Sequence, residues 1–168
     1  MFSRSSSSAS DLAKKRELEK KLLESAMAEC TKMVNSMREL PPPAAERIRQ
    51  RLDAYLKDQK KIPLDFKRKV TGEARSLECA ANMRAADAAL KKALNLARRD
   101  DHKERTRLIG EARTFGAKAA SLGADEEFKA AVKRKIDIIM LTGGVEHDGP
   151  TIAKPLSTAP VNPNHAKE

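Results

Sequence analysis

The sequence predicts an all-α fold: about five helices in an antiparallel bundle or stack of α-hairpins, with disordered N- and C-terminal tails. Three observations carry this reading. Alanine (26 residues) and leucine (16) dominate the chain. Alanine has the highest helix propensity, and the aromatic and β-branched residues that strands favour are scarce. From Leu77 to Met140 apolar residues recur at spacings of three and four, the repeat of one helix face. Only Arg98-Arg99-Asp100-Asp101 and Leu122-Gly123-Ala124-Asp125 interrupt that region, and such short links force antiparallel neighbours.

The elements are justified in order. Residues 1–10 are polar, low in complexity and without periodicity, and read as a tail. Ser10 and Asp11 then supply a helix start. The first helix is expected to reach about Leu40, ahead of Pro41-Pro42-Pro43. Its later half sets Leu23, Met27, Cys30, Val34, Met37 and Leu40 at spacings of 4, 3, 4, 3 and 3. This coiled-coil-like stripe covers fewer than three heptads, so packing within its own bundle is the default. Pro43 suits the first turn of a second helix, about 44–60, because its missing N–H would be unpaired there. Ala45, Ile48, Leu52, Tyr55, Leu56 and Gln59 share one side of it.

Pro63 ends that region and Asp65 is the expected cap of a third helix. Gly72 weakens its start by about 1 kcal/mol without breaking it. One helix of about 34 residues, some 50 Å long, is therefore expected to run to Arg99. Ala85–Ala97 is apolar on more than one face, which places it between two neighbours. Arg98-Arg99 and Asp100-Asp101 suit the dipoles of the helices they flank. Helix four carries Leu108, Ala112, Phe115, Ala119 and Leu122, and Gly123 is its expected terminating glycine. Asp125, Glu126 and Glu127 open helix five, with the stripe Phe128, Val132, Ile136 and Ile139, and Gly143-Gly144 closes it. Residues 143–168 hold four prolines and no aromatic residue and read as a disordered tail. One helical domain, 11–142, is thus expected between two tails. Its alanine core is thin, since burial contributes about 25 cal/mol per Å² and each alanine buries little. Support from a partner or from self-association is expected. The helical rhythm lacks the 34-residue period and aromatic signature of tetratricopeptide repeats.

Little in the chain resembles catalytic or metal chemistry. Cys30 and Cys79 lack CxxC spacing and read as reduced, buried, small hydrophobes. His102 belongs to an acidic helix start, His147 to the flexible Glu146-His147-Asp148, and His165 to the terminus, none with the rigid support that metal ligands need. No phosphate-loop or dinucleotide motif is present. The expectation is a protein that is not an enzyme and uses no cofactor. No apolar run reaches the roughly 20 residues of a membrane span. The N-terminus lacks a secretory apolar segment, and Asp11, Glu17 and Glu19 argue against a mitochondrial transit peptide. A cytoplasmic protein is expected.

Charge is the stronger lead. The net charge is +10, and most of it lies between Pro41 and Arg99. The candidate partner- or phosphate-binding residues are Arg47, Arg49, Arg51, Lys57, Lys60 and Lys61 in and after helix two. Lys67, Arg68 and Lys69 extend the set at the start of helix three. Such a surface can neutralise phosphates or meet an acidic protein; the ordinary alternative is a solvated face. Sequence-specific DNA recognition does not fit, because the second helix of the helix-turn-helix outline opens with Asp125, Glu126 and Glu127, which DNA repels. Stacking aromatics for single strands are also sparse. The chain therefore reads as an adaptor, accessory or regulatory subunit working through a protein partner, with homo-oligomerisation as a variant. Non-specific nucleic-acid association through 41–99 is the alternative. Candidate surfaces are this basic half, the Met27, Met33 and Met37 stripe, whose ordinary alternative is core, and the C-terminal tail, with the near-neutral last hairpin as scaffold.

Overall fold

The computed structural model describes residues 4–96 and 101–142. They form α1 (Arg4–Ser36), α2 (Pro42–Asp58), α3 (Leu64–Asn95), α4 (His102–Ser121) and α5 (Glu126–Thr142), with no strand among them. The expected tail at 143–168, the Gly143-Gly144 stop and Arg98-Arg99-Asp100 lie outside the described residues.

Successive helices run antiparallel, and ion pairs and hydrogen bonds mark the register. Lys61, just beyond α2, sits 3.6 Å from Glu19 in the first half of α1. Arg75 of α3 donates to Leu122 O at the far end of α4 at 3.3 Å, and Lys135 of α5 reaches Asp87 of α3 at 2.6 Å.

Helix ends follow local chemistry. Pro42 and Pro43 fill the first turn of α2, whose first amides, Ala44 and Ala45, donate to Pro41 O at 3.1 and 3.0 Å. α4 ends in a Schellman arrangement: Ala124 N–H bonds Ala119 O at 3.0 Å and Gly123 N–H bonds Ala120 O at 3.2 Å. Gly123 stands at φ +108°, a backbone region costly to side chains. Asp125 Oδ1 then accepts from Phe128 N–H at 2.8 Å and caps α5. Gly123→Ala is expected to destabilise the fold by about 1–2 kcal/mol. The same change at Gly110, mid-helix with open space around the added carbon, should stabilise it by about 0.5–1 kcal/mol. Urea denaturation of the two variants checks the opposite signs.

Several boundaries differ from expectation. α1 begins at Arg4 rather than at Ser10-Asp11, because no proline or glycine interrupts 4–10 and a nucleated helix gains one bond per added residue. It stops at Ser36, and the chain tightens through Met37 N–H to Val34 O at 3.0 Å before Pro41. α2 starts two residues earlier than expected and ends at Asp58. Asp65 lies in the first turn of α3 while Pro63 takes the cap position. α3 is one helix of 32 residues as described, ending at Asn95.

The core is in two parts, and α3 belongs to both. Cys30, Val34 and Met37 of the α1 end pack with Ala45, Leu52 and Leu56 of α2 against Val70, Ala74 and Ala81. Further along, Ala89, Leu90 and Ala93 pack against Leu108, Ile109 and Ala112 of α4 and Ile136 and Ile139 of α5. The apolar positions of α3 therefore change face along its length. Met27 and Met33 pack half-buried on the first core and Met37 is fully buried, so the methionine stripe is core rather than a docking face.

Buried alanines and a cysteine (Cys79, Ala86, Ala93, Ala112, Ala119) let α3 and α4 approach closely. Arginines close three chain segments after helices that the thin core would leave polar: Arg75 donates to Ser121 O at 3.1 Å as well as to Leu122 O, Arg84 to Arg38 O at 3.3 Å, and the fully buried Arg105 to Leu96 O. Each supplies donors to carbonyls that a helix end leaves unpaired.

Candidate interaction site

The nine basic residues singled out by sequence have different surroundings. Arg49 is half-buried; its guanidinium bonds Glu78, which is fully buried, and Asp53 at 2.9 Å. The Glu78 hydrogen bond, ahead of the opposing effect of burial, holds the Arg49 pKa above its ordinary value. Arg49 thus joins α2 to α3 rather than facing a ligand. Arg47 Nε donates to Pro43 O at 3.3 Å, and Lys61 pairs with Glu19. Arg51, Lys57 and Lys60 are exposed, and Lys67 is half-buried beside the α1–α3 contact.

Arg68 and Lys69 do come together with a third cation. They line a groove of about 580 Å³ between α1 and α3, with Arg38 across it and Val34, Gly72 and Leu77 among its lining residues. Glu73 also borders it, yet among the described residues no carboxylate comes within 4.0 Å of Arg38, Arg68 or Lys69. Arg38 was missed because it is an isolated cation in sequence, thirty residues before its groove partners.

A second, more apolar groove of about 480 Å³ lies between α4 and α5, in the hairpin expected to be scaffold. Small residues (Gly116, Ala117, Ala120) form its α4 side and Phe128, Val132 and Ile136 its α5 side. The spacing explains both walls: 116, 117 and 120 share one face of α4, and 128, 132 and 136 one face of α5. A carbon added at Gly116 would sit 3.6 Å from Val132 Cγ1, so the helices are nearly in contact at the floor. Arg113, Lys129 and Lys133 edge the groove, with Asp137 toward one end. Lys129 pairs with Glu126 at 2.5 Å. Arg113 and Lys133 have no carboxylate within 4.0 Å among the described residues.

The other flank of α5 is also incompletely covered. Leu90, Leu94, Ile138 and Ile139 line a recess of about 240 Å³ between α3 and α5. Leu94, Ile138 and Leu141 are 57, 51 and 75 % exposed. Asp87 bridges Lys135 at 2.6 Å and Lys91 at 3.0 Å, and hydrogen bonds from Lys135 and then Lys91 hold its carboxyl below the usual range. Among the described residues of α5 only Ile136 and Ile139 are buried. The first half of α1 is likewise bare: residues 8–22 are all exposed, Leu12, Leu18 and Leu22 among them.

The sulfur and nitrogen chemistry is muted where it is described. Cys30 and Cys79 are free and buried, and burial pushes both thiols above their ordinary pKa, away from the reactive thiolate. His102 is exposed at the start of α4, while His147 and His165 lie outside the described residues. Among the described residues no three His, Cys, Asp or Glu side chains gather as a metal-ligand set, and no helix is long and apolar enough to cross a membrane. No family model, curated protein or solved structure matches the chain.

Proposed function

We propose that this is a non-enzymatic, cytosolic helical protein that works by binding a partner protein along the flanks of α5, as an adaptor, accessory or regulatory subunit. The observation that supports the reading is the under-covered α5: two apolar recesses border a helix whose described residues include only two buried ones, Ile136 and Ile139. Exposed apolar residues that cluster, as Leu94 and Ile138 do in the α3–α5 recess, mark interaction sites in soluble proteins, and the thin alanine core gives a partner something to stabilise. The working surface thereby moves from the basic half of the chain to the last hairpin.

A second reading, non-specific association with nucleic acid, draws support from the three cations of the α1–α3 groove, which have no carboxylate within 4.0 Å among the described residues. One experiment separates the two. The tagged full chain is recovered from native lysate at low and moderate salt, with and without nuclease, beside the variants Ala117→Glu in the α4–α5 groove and Ile138→Glu in the α3–α5 recess. The expected result is a protein partner held in fixed ratio, insensitive to nuclease, and reduced about tenfold or more by at least one variant. Recovery of nucleic acid alone, lost at moderate salt and on charge reversal at Arg68 and Lys69, would put the second reading in its place. No partner and no self-association would overturn both.

A further inference from the structure

We infer that the α4–α5 groove is a dock for an acidic amphipathic helix of the partner protein, with apolar side chains on the Phe128–Val132–Ile136 wall and carboxylates toward Arg113 and Lys133. This rests on the reading above and names the partner's chemistry.

Shape, charge and the exclusion of other occupants point the same way. Two antiparallel helices leave between them a trough in which a third helix packs at about 8–10 Å. The small residues of the α4 wall permit that approach. The trough runs from Arg113 to Ala120 on one side and from Phe128 to Asp137 on the other. At 1.5 Å per residue this is about 10–14 Å, two to three turns of a docked helix, enough for anchors at i, i+3 or i+4, and i+7. No sheet edge exists among the described residues to receive an extended strand.

Charge selects among helices. Three cations and one carboxylate line the groove; Lys129 is taken by Glu126, and among the described residues Arg113 and Lys133 have no carboxylate within 4.0 Å. A helix carrying glutamates beside its apolar stripe satisfies both; a basic helix sets like charges against Arg113 and Lys133 at the rim of the contact. A second copy of this chain is a poorer occupant, since the exposed half of α1 sets five cations beside Leu12, Leu18 and Leu22, and of its carboxylates Glu17, Glu19 and Glu24 already pair with Lys21, Lys61 and Lys20. A bilayer is poorer still, because the apolar side chains here are recessed between two helices rather than standing on a ridge.

The test is fluorescence anisotropy of the full chain with three synthetic peptides of about four helical turns: one with leucines at i, i+3, i+4 and i+7 flanked by glutamates, the same peptide with lysines for glutamates, and a scramble of the first. The glutamate peptide is expected to bind at least about tenfold more tightly than either control, and to weaken several-fold between about 50 and 300 mM salt. Ala117→Glu and Lys133→Glu are each expected to weaken it about tenfold, and Lys133→Glu to bring the lysine peptide closer to the glutamate one. Both positions are exposed, and circular dichroism with thermal melting reports that the variants fold. Equal binding of the acidic and basic peptides, absence of acidic-peptide binding, or binding untouched by both substitutions overturns the inference. A partner recovered from lysate that Ala117→Glu leaves intact and Ile138→Glu abolishes would do so too, while leaving the proposed function standing.

Discussion

Replacing Arg49 by methionine is expected to destabilise the fold by about 3–5 kcal/mol, read as a lower midpoint in urea denaturation at constant slope. The cause is the carboxylate left behind. Glu78 is fully buried, and Arg49 is its ion-pair partner. Its second oxygen, Oε1, is already buried without a hydrogen-bond partner, so the pair repays its own desolvation incompletely. Two consequences distinguish this from ordinary loss of packing. Glu78→Leu alone costs less, because the Arg49 side chain is 23 % exposed and keeps Asp53 at 2.9 Å. The double variant, Arg49→Met with Glu78→Leu, recovers most of the loss, as when buried ion pairs are replaced by apolar residues of similar volume. A single-variant loss below about 1 kcal/mol, the scale of an exposed pair, would show that the charge is accommodated some other way.

Leu52→Ala and Leu90→Ala are each expected to cost about 3 kcal/mol, from lost transfer energy and the cavity left by a fully enclosed side chain. The pair also tests how α3 couples the two cores. Leu52 lies in the core shared by α1, α2 and α3, Leu90 in that shared by α3, α4 and α5. Because one uninterrupted helix supplies both, each variant should lower a single unfolding transition followed by circular dichroism. Two resolved transitions in Leu90→Ala would mean that the α4–α5 end opens as a separate unit.

Much of the architecture was legible because the cues are local. The 4, 3, 4, 3 spacing on α1 predicted the residues that are buried at its end, Cys30, Val34 and Met37. Gly123 and Asp125 announced the α4–α5 turn, since a terminating glycine and a capping carboxylate act within a few residues of themselves. Ala85–Ala97 was expected to touch two neighbours, and Ala89, Leu90 and Ala93 within it meet α4 and α5. Glu78 left a faint signal: it stands four residues after the buried Ala74, in register with a core stripe, where an acid needs a buried partner. Reading charge by segment hid this, because Arg49 was counted with the open basic residues. The candidate site was less legible. Gly116, Ala117 and Ala120 are as plain in sequence as the alanines that α3 covers, and nothing local marks them as uncovered.

The sequence by itself determined the helices, their approximate ends, their apolar faces and the small side chains that let them lie close, because each depends on backbone propensity and on spacing within a few turns. Only the tertiary structure decided which of those faces is covered. It handed the stripe of α3 from one helix pair to the other, drew Arg49 into the core against Glu78, set Arg38 opposite Arg68 and Lys69, and left the trough between α4 and α5 without a third helix among the described residues. Coverage is a property of pairs of elements far apart in the chain, and helical periodicity encodes which residues share a face, not what lies against it.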